Sequence, residues 1–113
     1  MFVIGAACAV SANAQDDVTG AYADADVADK DVVAAANFAV KRFSGSNSKK
    51  LKLVSVEKAE VQVVAGLNFR LCLAVDDRTT GKTVRRQASA VVYRNLKNKH
   101  KLTSWKTGEC ESD

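Results

Sequence analysis

The sequence predicts an α+β fold: one long helix packed on a curved antiparallel sheet of four to five strands. Three observations carry that prediction. Residues 26–43 repeat apolar side chains at helical spacing. Residues 67–75 alternate an apolar with another residue over five consecutive repeats. Everything after the helix divides into strand-like segments joined by short polar loops, the pattern of hairpins rather than of crossovers.

The chain has 113 residues, enough for one domain and too few for two. Its 47% apolar and 27% charged content are those of an ordinary soluble globule. The first fourteen residues, MFVIGAACAVSANA, differ from the rest. Phe2 to Val10 is apolar but too short to span a bilayer. Ala12-Asn13-Ala14 has the small-x-small pattern of a signal-peptidase site, with cleavage before Gln15. Residues 1–14 are therefore read as a signal peptide, truncated because it lacks a basic start, and residues 15–113 as an exported domain. The alternative is a hydrophobic N-terminal strand. No other apolar run approaches membrane length, and no membrane partner is expected.

The helix is expected to open at Asp26–Asp31 and to run to about Phe43. Val33, Ala36, Val40 and Phe43 share one face, broadened by Val32, Ala35 and Ala39. Acids at its start and Lys41 and Arg42 at its end oppose the helix dipole favourably. Ser44 to Ser48 is a loop by composition. Lys50 to Val64 is the first long strand. Leu67, Phe69, Leu71, Leu73 and Val75 then alternate with Asn68, Arg70, Cys72, Ala74 and Asp76, so that one face should meet the helix. Asp76 to Gly81 is a polar hairpin loop, Ala88 to Tyr93 a strand, Asn95 to Lys101 a basic loop and Leu102 to Thr107 a last strand. The simplest sheet is a meander.

The composition argues against chemistry. There is one histidine, His100, set in a run of lysines and expected to be a solvated loop residue rather than a base, which needs an orienting partner. No nucleophile motif, zinc-ligand spacing or phosphate-binding glycine loop is present, so the protein is expected to be no enzyme, with no cofactor and no metal. Charge is uneven. Residues 15–31 hold six Asp and one Lys; residues 82–108 hold eight Lys or Arg and no acid. Aromatics make up only 6% of the chain, and the basic stretch is read as a solvated sheet face rather than a nucleic-acid site. Cleavage would leave two cysteines, Cys72 and Cys110; an even pair in an oxidising compartment invites one disulfide. Free thiols and pairing between molecules are the alternatives.

One stretch fits none of this. Between two strands, where a turn should be polar, the chain reads Gln62-Val63-Val64-Ala65-Gly66. That segment resembles the Gln-x-Val-x-Gly signature of the cystatin family of cysteine-protease inhibitors, and Asn68-Phe69 resembles the Asn-aromatic pair that follows it. Ala34 to Val40 is similar to the family's central helix. Gly20, 42 residues before Gln62, stands near the family's N-terminal glycine. The resemblance covers most of Gly20 to Cys110.

It implies a sheet wrapped around one helix, with a wedge of three parts at one edge: the segment at Gly20, the first hairpin and a second hairpin. The wedge would plug the cleft of papain-like, cathepsin-type cysteine proteases. In that role Val63, Val64 and Ala65 offer apolar area, Gly66 permits a positive φ or a close approach, and Gln62 fixes the loop through side-chain hydrogen bonds. Val64, β-branched at a tight turn, is expected to be strained. Strain there would favour opening of the hairpin and exchange of strands, giving a domain-swapped dimer beside the monomer.

Two departures stand out. The family's second hairpin carries Pro-Trp; here Leu96-Lys97 takes that place, and Trp105 falls in the last strand. Secreted animal cystatins carry two disulfides; Cys110 matches the last of their cysteines, but its usual partner would fall near Ala88. A Cys72–Cys110 bridge would instead cross the outer face, and needs α-carbons within about 7 Å. The function read from the sequence is a secreted, reversible, tight-binding inhibitor of papain-like proteases. The alternative is a cystatin-fold module that binds an anionic partner and does not inhibit.

Overall fold

The computed structural model describes residues 20–110, so the expected signal segment lies outside the described residues. Five strands and one helix follow in the order β1 (Tyr22–Ala25), α1 (Lys30–Ser46), β2 (Leu51–Val64), β3 (Gly66–Asp77), β4 (Val84–Arg94) and β5 (His100–Thr107). The strands form one sheet in sequence order, each antiparallel to its neighbour. The meander is as expected, and the sheet has five strands. β1 is the strand that periodicity does not announce: four residues, YADA, laid along the end of β2.

The helix is shifted from its expected bounds for a local reason. Asp29, not Asp26, is the N-cap; its carboxylate accepts from the backbone N–H groups of Asp31 and Val32. Asp26 builds the preceding turn, accepting from Ala28 N at 2.8 Å and, through its carbonyl, from Asp29 N. At the other end the helix continues through Ser46, where a loop was expected from Ser44. Asn47 stops it, donating to the Phe43 carbonyl through both its backbone and its side-chain amide. Lys41 and Arg42 thus lie short of the last turn, which holds no base.

Alternation on the strands becomes alternate rows across the sheet. Val61, Phe69, Val92 and Leu102 are directly paired in one apolar row; Ala59, Leu71, Ala90 and Trp105 form another. These rows face the helix, whose Val32, Ala35, Ala36, Ala39 and Val40 are buried against them. Val33, expected at the centre of the stripe, sits at its margin. The three alanines, each fully buried, let the helix come close to the sheet. Trp105 stacks on Phe43 at 4.5 Å, closing the core under the last helical turn. Irregular pairing at Leu53/Ser55, Val56/Lys58 and Val91/Val92 marks bulges, which bend a sheet and increase its twist.

The opposite rows face outward and are mainly polar, with Ala74 and Val91 among them. Cys72 pairs with Lys58 and Ser89 there, and is bonded to Cys110 with α-carbons 5.9 Å apart. The bridge crosses the outer face as the geometry required. Cys110 lies beside the Ala88 carbonyl and reaches sideways to β3. Asp76 and Asp77, expected in a loop, extend β3 and pair with Arg85 and Arg86 of β4 at 2.6 and 3.0 Å. Two arginines of the basic stretch are thereby neutralised by acids from another part of the chain.

Candidate functional site

Topology brings three segments to one end of the sheet. The β2–β3 turn has Ala65 at its apex, between the paired Val64 and Gly66. β4 ends at Arg94 and β5 begins at His100, directly opposite each other, so the 95–99 turn lies at the same end. β1 opens at Tyr22, opposite Gln62, which places Gly20 beside the first turn.

Gln62 ties two of these parts together. Its amide donates to the Gly20 carbonyl at 2.6 Å, and its oxygen accepts from the Asn68 amide at 2.7 Å. One side chain therefore spans β1's leader, β2 and β3. Gly20 has φ +111°, and a Cβ there would touch nothing; its requirement is conformational. Gly66 has φ +112°, and its requirement is also spatial. A Cβ would run into the Arg94 carbonyl oxygen and lie 3.0 Å from the Tyr93 phenol oxygen. The second hairpin's strand is thus packed directly against the first hairpin's glycine. Val64 does not carry the strain expected of it: the only non-glycine residues with positive φ among the described residues are Ser48 and Asn98. Gly66 takes the unusual conformation and leaves Val64 extended.

Val63 is 60% exposed, and Ala65 is exposed as well, while Val64 is half-buried. On the second turn Leu96 is 80% exposed, the most exposed large apolar residue of the described chain. Lys97, Asn98 and Lys99 follow it, all exposed. This turn is built locally. The Asn95 carboxamide oxygen accepts from Lys97 N at 2.8 Å and Lys99 N at 3.0 Å, and backbone bonds join Asn95 with Lys99 and Asn98. Behind it, Arg94 reaches the helix start, 3.3 Å from Asp31, and lies over the Phe69 ring.

His100 departs from expectation. It opens β5, stacks on Phe38 of the helix at 5.2 Å, and buries Nε2 without a hydrogen-bond partner. Burial pushes its pKa down, the Arg94 charge adds to that, and Asp31 opposes it. It is part of the helix–sheet contact, not a solvated loop residue. The sequence places Tyr93 at a strand end and Asn95 in the basic loop but gives neither a role at this site; only register sets Tyr93 opposite Asn68 and next to the first turn. Among the described residues no group of His, Cys, Asp and Glu could hold a metal ion, and no helix is long and apolar enough to cross a membrane.

A family model described as SQAPI, aspartic acid proteinase inhibitor, matches residues 25–108. The chain belongs to that family. The SQAPI match spans α1 and β2 to β5, including the first and second hairpins, and begins at the last residue of β1. No curated protein sequence matches. Among solved structures, salivary cystatin from the soft tick Ornithodoros moubata is similar, with TM-score 0.66 and 20% identity over 81% of this chain and 100% of that one. The structure titled Al-CPI is similar at TM-score 0.62 and 20% identity, covering 79% and 100%. Dimeric human cystatin F is similar at TM-score 0.62 and 14% identity, covering 94% and 99%. The fold of this SQAPI-family chain is the cystatin fold, as the sequence resemblance implied.

Proposed function

We propose that the protein is a secreted, reversible inhibitor of papain-like cysteine proteases, cathepsin-type enzymes included, and that Gly20, Gln62, Val63, Val64, Ala65, Gly66, Leu96 and Lys97 form the surface that enters the protease cleft. The observation that carries this is the clamped Gln62–Gly66 hairpin, standing beside Gly20 and Leu96 at one end of the sheet with Val63 and Leu96 turned to water. Exposed apolar side chains on pre-formed turns suit insertion into a groove. Each contributes about 1.5–3 kcal/mol if fully desolvated, and a turn fixed beforehand loses little further entropy on binding.

The inhibitor performs no chemistry. A protease cleaves an extended peptide whose carbonyl lies in line with its nucleophile. The first hairpin offers instead a closed turn, with Val64 paired to Gly66. Occlusion without an aligned scissile bond is reversible. Export is supported by the signal-like residues 1–14 and fits the Cys72–Cys110 bridge, since disulfides persist in oxidising compartments. The protein acts as a monomer. Exchange of β1–α1–β2 between two copies would need the 64–66 turn to open, and the disulfide, lying wholly within β3 to the C-terminal side, does not oppose it.

A second reading, inhibition of aspartic acid proteinases, is favoured by the description of the matched family. Purified residues 15–113 should be titrated against papain and pepsin in parallel. Inhibition of papain is the expected result. Inhibition of pepsin alone moves the target to the aspartic class, and inhibition of neither leaves the non-inhibitory module for an anionic partner.

A further inference from the structure

We propose that Tyr93 is a positioning residue for the first hairpin, holding its apex from the neighbouring strand in the orientation that binds a protease. The effect on inhibition rests on the function proposed above; the effect on the free hairpin does not.

The apex of a two-stranded turn is its least constrained part. Ladder pairing ends at Val64 and Gly66, and Ala65 lies beyond it. Its carbonyl would ordinarily face water. Here the Tyr93 hydroxyl donates to the Ala65 carbonyl, across 28 residues of sequence. The Tyr93 ring also backs the same turn: a Cβ on Gly66 would meet its Cε1 at 3.1 Å. Tyr93 reaches this place because it stands opposite Asn68 on the outer face. One row runs through Tyr22, Gln62, Asn68, Tyr93 and Lys101, a residue from every strand. Gln62 and Asn68 fix the base of the hairpin from that row, and Tyr93 fixes the tip. An apex held at one oxygen and one ring face samples fewer orientations, so fewer encounters with a cleft are wasted.

The test uses the full chain with Tyr93→Phe, which removes the hydroxyl and keeps the ring, and Tyr93→Val, which removes both. Amide hydrogen exchange of the free protein is read residue by residue. In Tyr93→Phe the amides of residues 64–66 should exchange about three- to tenfold faster, the worth of one hydrogen bond, while those of α1 stay unchanged. Tyr93→Val should exceed that at the same amides. Papain association should slow by a similar factor in Tyr93→Phe at an unchanged melting temperature.

Exchange that stays at the wild-type rate in both variants overturns the proposal. So does weaker inhibition with no change in the free hairpin, which would make Tyr93 a direct contact. Faster exchange spread through α1, or a lowered melting temperature in Tyr93→Phe, would make it a residue of general stability. If wild-type protein leaves papain active, the exchange result still decides whether Tyr93 holds the apex.

Discussion

The two hairpins at the binding end are built in opposite ways. The first is apolar, and Gln62 is the one side chain among its five residues that anchors it. Gln62 bonds to Gly20 and Asn68, the Ala65 carbonyl accepts from Tyr93, and Gly66 lies against the Arg94 carbonyl, so these partners all come from outside the five residues. The second is polar and cationic, and Asn95 alone supplies two of its bonds. A turn that displays Val63 and Ala65 to water keeps only Gln62 as an anchor, and what it anchors to must come from the rest of the molecule. A turn of Asn and Lys folds itself and leaves Leu96 and Lys97 free for contact. Damage to the first hairpin should therefore spread, while damage to the second should stay local.

The largest effect is expected at Gly66. Leucine there meets the Arg94 carbonyl and an unfavourable φ together. Gly66→Leu should weaken papain inhibition on the order of a hundredfold or more while leaving the helical circular-dichroism signal intact. Equal potency would refute the role of this hairpin. Leu96→Ala comes next: loss of one exposed anchor should raise the inhibition constant about tenfold, with no change in melting temperature because Leu96 supports nothing. The sharpest comparison is between clamps. Gln62→Ala removes bonds to both Gly20 and Asn68, and its amide-exchange changes should reach residues 20–22 as well as 62–68. Asn95→Ala should change exchange only at residues 95–99 and inhibition about threefold or less. If the two variants disturb equal lengths of chain, the contrast between the hairpins is wrong.

The smallest effect concerns pH. His100 has its pKa lowered in the fold, chiefly by burial, so the unfolded chain binds the proton more readily. Stability on this account is complete above about pH 6.5, the unfolded value, and declines as pH falls through the interval below it. Protonation would place a partly buried cation near Arg94, with Asp31 opposing the cost. The melting temperature of wild type should fall more between about pH 7.5 and about pH 5 than that of His100→Gln. Asp77 confuses this range little, because its hydrogen bonds from Thr79 hold it at about 2.

Much of the fold is legible in the residues. Alternation from Leu67 to Val75 gives β3 and its buried face, since a half-buried strand leaves that mark directly. The helix stripe is legible too, but not its ends. Asp26 and Asp29 are equally good caps by type, and only the β1–α1 connection chooses Asp29. β1 is illegible because, apart from Tyr22, its Ala and Asp residues carry no strand signal; its pairing with β2 makes it a strand. At the candidate site, Gln62 to Gly66 stands out as an apolar turn that nothing local explains. Tyr93 does not stand out, because its role depends on register across two strands. His100 is misplaced by its sequence neighbours for a related reason: the lysines beside it describe a sequence, while the Phe38 ring that covers it comes from the helix.

The most direct measurement is a footprint of the complex. Hydrogen exchange of the chain, alone and saturated with papain whose active-site cysteine is blocked by a small group, would show which amides the protease covers. Protection should centre on residues 20–22, 62–66 and 95–97, with the loops at the other end of the sheet, 47–50 and 78–83, unchanged. Protection at those far loops, or none at the two hairpins while papain is demonstrably inhibited, would mean that the protein stops its target by another surface.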